Sequence, residues 1–504
     1  MAKKILYNDL SSLKAKHSES KIVHCHGTFD LFHFGHLLHL RSAKKFGDIL
    51  VVTVTPDEFV NKGPGRPRYS SAQRVEILSS IDFVDYVCLN NSATAVNPIL
   101  ELRPDFYVKG PDYIDQEKDI TGKIFEEEAA IKHVSGSMVF TEDDTMSSTE
   151  LINSYFNPFD LNQINAIESI KKLLNPSSFE KILQEFSNLN VLVIGEPIVD
   201  TYIFCKAEGV SSKSPSISAR YLYQEDYAGG TLAIANHLAA LNCKVSLAIP
   251  NGNEAYFNKL LDTSLDKKIK LYDFKYNDFI TPRKSRYLSH FKQQKIFEIT
   301  NISNNMWANN SVNEICEFIR SEASNFDIVL IADFGHGLFE GKLLESLSSI
   351  KTFVALNVQT NSSNFGFNPF TKHKRYDYLS IDENECRIGT HDRLSDVEVL
   401  AEKIVQNNLQ STHSITLGTA GSLYLNKSQD RFYCPTFIKD STIDTTGAGD
   451  AYLAITTLLV KLNVDEKIIP FIGNCFAGLK TKIIGNKSSV NKIDLIRTVS
   501  HMLK

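Results

Sequence analysis

Nowhere in this chain does an apolar run approach the roughly 18 residues that cross a bilayer, so no membrane association is expected. Basic tracts are missing too: the formal net charge is -5, which argues against a nucleic-acid partner. The eight cysteines are scattered without one Cys-x-x-Cys pair. That speaks against a zinc site or a disulfide framework and fits the reduced thiols of a cytoplasmic protein. The opening "MAKKILYNDL" has no long apolar core and no cleavage site, so no secretory leader is expected. No internal repeat relates the two halves. What is present is an ordinary globular composition, 42% apolar and 22% charged, in 504 residues. That length is too great for one core, so two or three domains are expected.

Strand-like and helix-like segments alternate from residue 21 onward. "HLLHLRSAKKF" reads as a helix, "DILVVTVTP" as a strand, "SSAQRVEILSSI" as a helix, then "VDYVCLN", "PDFYVKG" and "MVFT" as strands. Such alternation implies parallel pairing in a doubly wound sheet. The spacing places a first domain at 1–157, a helical linker at 158–189 and a second α/β domain at 190–504. The second domain opens with "NVLVIGEPIVD", read as one strand, and continues through "KVSLAIP", "FDIVLIADF", "TFVALNV" and "THSITLGTAGSLYL". Segments 201–226 and 281–299 alternate like antiparallel strands, predicting a small sheet attached as a lid.

Two glycine-broken turns follow strand-like runs. In "GTFDLFHFGH" (27–36), His33 and His36 stand three apart at the mouth of a helix. Helix N-termini attract anions, so the two imidazoles could donate to a phosphoryl group whose charge grows in the transition state, with Gly35 permitting close approach. A solvated histidine pair would look the same. No third ligand lies at a recognisable spacing for a metal. In "DTTGAGDAY" (444–452), Gly447, Ala448 and Gly449 bare backbone N–H groups, and Asp450 occupies the first helical turn. A carboxylate there can take the proton of an attacking hydroxyl; it could equally be a helix cap. Lys284 and Arg286, two apart in "TPRKSRY", share one face of a strand and could hold a phosphate already on the substrate, or simply be solvated.

The first turn and its surroundings, "YSSAQRVEILSSIDFVDYV", "VKGPDY" and "SSTELI", resemble the HxGH nucleotidyltransferases, both glycerol-3-phosphate cytidylyltransferases and the adenylyltransferase half of bacterial heptose-phosphate enzymes. The resemblance implies a Rossmann-like fold. It implies that His33 and His36 stabilise the α-phosphate of a nucleoside triphosphate, and that Asp30 sits against the incoming substrate. Lys62, in "NKGPGRPR", would bind the triphosphate, and Ser147, Ser148 and Thr149 would hold phosphates at a helix start. Gly27, Thr28, Phe29 and Lys109 would complete the nucleotide site. Where the cytidylyltransferases often carry an arginine, this chain has the acidic "TEDDTMSST", which leaves ATP and CTP both open as donor.

The second turn, with "AGGTLAIANHLAAL" and "SITLGTAGSLYL", resembles the ribokinase-like (PfkB) sugar kinases, and in "IGEPIVDTYIFCKAEGVSSKSPSISARY" their heptose-phosphate branch. By that likeness Asp200 grips sugar hydroxyls, Gly229 and Gly230 lie against the sugar, and Thr416, Gly418 and Gly421 lie near the triphosphate. Asn474 is on the adenine side, and Asp382 and Glu385 order magnesium. Three positions depart from the family: Ala233 replaces an asparagine, Asp382 an asparagine, and His336 a lysine. Together the likenesses imply a bifunctional enzyme with its two domains in reversed order. It would phosphorylate a sugar at the anomeric carbon with ATP and magnesium, then transfer a nucleotidyl group to make an activated sugar for surface polysaccharide, as a cytoplasmic homodimer. Two alternatives stay open: a polyol phosphate as acceptor, or a kinase-like domain that serves only as a sensor or dimerisation module.

Overall fold

The structure, a computed structural model, describes residues 2–60, 66–110, 123–141, 159–276, 279–290, 295–302, 309–362, 364–438 and 442–503. The chain divides into two compact units, Met1–Pro158 and Phe159–Lys504.

In the first unit, β1 (Lys3–Ile5), β2 (Ile22–Gly27), β3 (Ile49–Val54), β4 (Tyr86–Leu89), β5 (Phe106–Lys109) and β6 (Ser137–Phe140) form one sheet in the order β1-β4-β3-β2-β5-β6. Every pairing is parallel. Side chains alternate across it as strand geometry requires: Val23, Cys25, Leu50, Val52 and Val54 enter one core, Ile22 and Val51 the opposite one. Chain order reverses between β2 and β5, and such a switch point opens a crevice at the carboxyl ends of the strands. The edge strand β1, to which the sequence pattern assigned no element, extends the sheet beyond β4, and the helix Leu10–Lys16, likewise unassigned, packs Leu10 and Leu13 into the core that holds Ile22 and Val51.

The segment expected as a linker forms two helices, Leu161–Lys171 and Pro176–Glu185. Their Ile167, Ile170, Phe179 and Leu183 are buried in the larger core of the second unit. That unit is built on β7 (Asn190–Gly195), β8 (Pro197–Val210), β9 (Ile217–Gly230), β10 (Lys244–Asn251), β11 (Lys270–Lys275), β12 (Arg283–Ser289), β13 (Lys295–Asn301), β14 (Ile328–Asp333), β15 (Phe353–Val358), β16 (Tyr378–Asp382), β17 (Thr412–Thr416), β18 (Ser422–Leu425) and β19 (Arg431–Cys434). The main sheet runs β11-β10-β7-β14-β15-β16-β17-β18-β19, parallel as far as β17 and antiparallel beyond. Helices cover both faces. On β7, Val191 and Val193 join one core while Leu192 and Ile194 join the other.

The run 190–200 is two strands: the chain leaves the main sheet after Gly195 and enters the small one at Pro197. "THSITLGTAGSLYL" is likewise β17 and β18 around a turn. The small sheet has the order β13-β12-β8-β9. It is mixed rather than purely antiparallel, since β8 and β12 pair in parallel from Val199↔Arg283. Both strands leave the body at the same level, joined there by the bond from Val199 N to Pro282 O. Only β9 and β13 return.

Candidate active sites

The first site grows out of the carboxyl end of β2. His33 is the N-cap of the helix Phe34–Lys44. The Gly35 amide donates to His33 Nδ1 at 3.1 Å, and the His33 amide to His36 Nδ1 at 3.4 Å. A backbone amide can only donate, so in each neutral ring the proton is assigned to Nε2. The rings stack with centroids 3.9 Å apart, and Phe29 packs edge-on against His36. The pair is thus a fixed two-donor device at a helix N-terminus.

The turn leading to it is strained, with Phe29 and Leu31 at φ of 52° and 44°, in the left-handed region that larger residues avoid. Asp30 holds it. Its side chain is 1% exposed and accepts from Arg66 Nε at 2.7 Å and from the amides of Leu31, Arg68 and Tyr69. Asp30, expected against the incoming substrate, therefore spends its oxygens on the protein itself. Gly27 ends β2, and the Thr28 carbonyl accepts from buried Arg74 at 2.6 Å. Lys109, at the end of β5, pairs with buried Glu127 at 2.7 Å. Lys62, Ser147, Ser148 and Thr149 lie outside the described residues.

The second site lies where β8, β12 and the helix Ala448–Lys461 converge. A cleft of about 100 Å³ is lined by Asp200, Gly230, Lys284, Arg286, Gln359, Thr446, Gly447, Gly449, Asp450 and Asn486. Gly447, the N-cap, stands at φ 79°, and a Cβ there would meet Asn486 Oδ1 at 2.7 Å, so the turn needs glycine. Asp450 is 6% exposed and accepts from Gln359 Nε2 at 2.9 Å. Burial, reinforced by the negative Asp200, pushes its carboxyl up to about 7. A group so poised can take a proton near neutral pH.

Asp200 faces Lys284 in the β8–β12 register and is paired with Arg286, while Asn486 Nδ2 donates to it at 3.2 Å. At Gly229 a Cβ would collide with the Asp200 carboxylate. Arg286 is committed, bonded to Asp200 and, through Nε, to Glu298 at 2.9 Å. Lys284 lines the cleft, and burial lowers its pKa. Of the two cations expected to hold a phosphate, then, Arg286 is engaged by carboxylates and Lys284 is turned to the cleft.

Asp382 and Glu385 form a capping box on the helix Glu383–Thr390. The Glu385 amide donates to Asp382 Oδ1 and the Asp382 amide to Glu385 Oε2, both at 2.8 Å. Burial and the neighbouring Asp382 push Glu385 up to about 8; burial raises Asp382 as well. A buried and a half-buried carboxylate side by side, with no basic side chain paired to either among the described residues, suit a hard divalent ion. Among the described residues no group of three or more His, Cys, Asp or Glu side chains could enclose one. Such an ion would thus take most of its ligands from phosphate and water, as magnesium commonly does.

Thr416 pairs with Asp382 across β16–β17, and the adjoining turn carries Gly418 and Gly421 at φ of 59° and 115°. Asn474 donates to the carbonyls of Cys434 and Pro435 at 2.8 and 3.2 Å, so its amide braces the chain after β19. Ala233 is buried in the helix that follows Gly230. His336 is held neutral, its pKa lowered to about 3 by burial and by nearby Lys284.

Several members of this site carry no sequence signal. Gln359 and Asn486 are isolated amides after a strand and a helix. Asp444 stands inside the quoted turn, where it accepts from Tyr202 at 2.6 Å and Lys295 at 2.9 Å. Lys480 donates to the carbonyls of Thr446 and Gly485 at 2.8 and 2.6 Å. Asp444 could have been found as the motif's other carboxylate.

Comparison with known proteins finds a family match in each of the two units. The Cytidylyltransferase-like family matches residues 24–154, and the pfkB family carbohydrate kinases match residues 188–458. The chain is 39% identical over 121 residues to bifunctional protein HldE of Campylobacter fetus, covering 24% of this chain and 26% of that one. It is 25% identical over 321 residues to bifunctional protein HldE of Geobacter metallireducens, covering 63% and 64%. It therefore spans less than two thirds of the length of either relative. Phosphofructokinase-2 from Escherichia coli superposes with a TM-score of 0.52 at 13% identity, over 63% of this chain and 100% of its own, a likeness of fold. With more than half of its residues matched, and a cytidylyltransferase-like domain ahead of the matched region, the chain belongs to the pfkB family of carbohydrate kinases.

Proposed function

We propose that the chain is a bifunctional transferase that phosphorylates the anomeric hydroxyl of a heptose-like sugar or sugar phosphate and then activates the product with a nucleotide. The observation that carries this reading is Asp450, buried at the glycine turn, with a carboxyl pushed up to about 7 and the cleft cation Lys284 beside it. A sensor would need no base there. In the first step the sugar hydroxyl oxygen attacks the γ-phosphorus of ATP, its proton passes to Asp450, and the bond to ADP breaks. Asp200 and Asn486 orient the sugar, the amides of the Gly447–Gly449 turn receive the phosphoryl oxygens, and Lys284 takes a phosphate already on the substrate. Asp382 and Glu385 would hold magnesium, which supplies charge neutralisation on the phosphates.

In the second step a phosphate oxygen of the sugar 1-phosphate attacks the α-phosphorus of ATP or CTP. His33 and His36 donate from Nε2 to the α-phosphoryl oxygens, and pyrophosphate leaves. Names of relatives that couple two functions in one protein support the pairing. Eight free, buried cysteines support a cytoplasmic location. Among the described residues no helix is long and apolar enough to cross a membrane.

The test is a coupled assay over a panel of sugars and sugar phosphates with ATP and CTP, reading ADP, pyrophosphate and nucleotide sugar. Absence of ADP release with every sugar would remove the kinase half of the proposal. We also propose a homodimer joined through the small sheet, because Tyr221, Phe297 and Ile299 expose more than half of their surface there. Light scattering at micromolar concentration should give about twice the 56.6 kDa of one chain; a single-chain mass would overturn it.

A further inference from the structure

Arg66 has no part in the reading above, yet its side chain is only 1% exposed in the first unit. It is bound by one edge alone. Nε donates to Asp30 Oδ2 at 2.7 Å, and Asp30 belongs to the strained turn that ends at His33. Both terminal nitrogens, Nη1 and Nη2, are buried and have no hydrogen-bond partner among the described residues. A guanidinium is planar and permanently charged, and its Nη edge presents two parallel N–H groups that match two oxygens of one phosphate. Fixing Nε on Asp30 fixes the plane of the group, so that fork is preset. Burying a charged fork without partners is costly, and such arrangements are kept where a ligand completes them. Asp30 balances the charge of Arg66 through Nε alone and leaves the Nη edge to a further acceptor.

We infer that the Nη edge of Arg66 grips a phosphate carried into the first unit by its ligand, making Arg66 a specificity-determining residue of that site. This rests on the nucleotidyl-transfer reading of the first unit. The phosphate has two possible sources, the triphosphate of the donor and the phosphate of the acceptor, and the chemistry of recognition is the same for both.

The experiment is titration calorimetry on the full chain with inorganic pyrophosphate, standing for the donor's terminal phosphates, and inorganic phosphate, standing for the acceptor's. Wild type is compared with Arg66→Lys, which keeps the charge and the reach to Asp30 but loses the fork, and with Arg66→Met. Phosphate bound by the second unit is common to all three proteins. For one of the two probes the Lys variant should bind about tenfold to a hundredfold more weakly, and the Met variant more weakly still. The Lys variant's melting midpoint should stay within about 2 °C of wild type, since its bond to Asp30 survives. Weakening confined to pyrophosphate assigns the fork to the donor; weakening confined to phosphate assigns it to the acceptor.

Unchanged affinity for both probes overturns the inference and leaves the fork to water. Weakened binding accompanied by a collapsed melt in the Lys variant also overturns it, because Arg66 is then a brace. A wild type that binds neither probe overturns it too. The underlying reading fails separately, when wild type releases no pyrophosphate from ATP or CTP with any acceptor in the panel.

Discussion

Under the proposed function the two turns meet one problem, holding a phosphoryl group at a helix N-terminus, and meet it with different chemistry. In the second unit the turn is built of glycine, with bare amides at Gly447 and Gly449 and a carboxylate one residue further on. In the first unit the strained positions are Phe29 and Leu31, not glycines, the donors are imidazoles, and the one carboxylate is consumed by Arg66 and three amides. Under the proposed function the difference follows from the nucleophile. A sugar hydroxyl must lose its proton as it attacks and needs a base, whereas a sugar phosphate arrives already ionised and needs only donors for the charge it creates. Asp450 is poised and Asp30 is clamped for that reason.

The sharpest way to break this contrast is Asp450→Asn, which keeps the shape and removes the base. ADP release should fall by about 10²–10⁴-fold. Pyrophosphate release from added sugar 1-phosphate should stay at the wild-type rate, since the first unit needs no base. If ADP release persists, the second turn is not a base-catalysed site. His36→Ala is the mirror experiment: pyrophosphate release should fall by about 10²–10³-fold while ADP release is unchanged.

Next in size is the clamp itself. Asp30→Ala leaves Arg66 buried without its counter-charge, a loss of about 3–5 kcal/mol in the first unit. Thermal unfolding followed by calorimetry should show that loss in one transition and leave the second unit's transition in place. If Asp30 instead met substrate only, the melt would not move and the KM for the acceptor would rise.

How far the sequence carried this comparison depends on whether a feature is local. Parallel strands buried on both faces write themselves as apolar runs, so β2, β3, β7 and β14 were legible, as were both turns, whose residues lie within ten of one another. The split of 190–200 into β7 and β8 was missed although Gly195-Glu196-Pro197 interrupts the apolar run, because leaving one sheet for another takes only a single residue, Glu196, too short a gap to read as a loop. The edge strand β1 carries three residues, too few for a period to register. Residues that reach a site from far along the chain were equally hidden. Arg66 meets Asp30 36 residues away, and Asn486 meets Asp200 across 286. Capping boxes pose the opposite difficulty. Asp382 and Glu385 were read as magnesium ligands, and what the structure shows is a capping box that starts a helix, a use the same spacing serves.

The pH dependence separates the units further. With Asp450 pushed up to about 7, ADP release should climb about tenfold per pH unit below that value and level off above it. The sign for stability is opposite. A carboxyl raised on folding contributes stability that is whole below the ordinary carboxylate range and is lost as pH rises through about 7. Activity and stability should therefore move apart between pH 4 and 7, in the second unit only. A flat ADP-release profile over that range would overturn the assignment of the base.

The smallest expected effect tests what tunes that base. Lys480 sits behind the turn, its ammonium bonded to the carbonyls of Thr446 and Gly485, and its positive charge lowers the Asp450 pKa against the effects of burial and of Asp200. Burial in turn brings Lys480 down to about 8, so at pH 6.5 it is still largely charged. Lys480→Met keeps the length and removes the charge, and the Asp450 carboxyl should then ionise only at higher pH. The plateau rate of ADP release should change little, because the base is intact, while the rising limb of the profile moves to higher pH and the rate at pH 6.5 drops. A merely structural lysine would predict something else: a lower plateau and a lower melting temperature, with the limb unmoved. Lys480→Arg separates the two further, since it restores the charge with a different shape and should return the limb to its wild-type position.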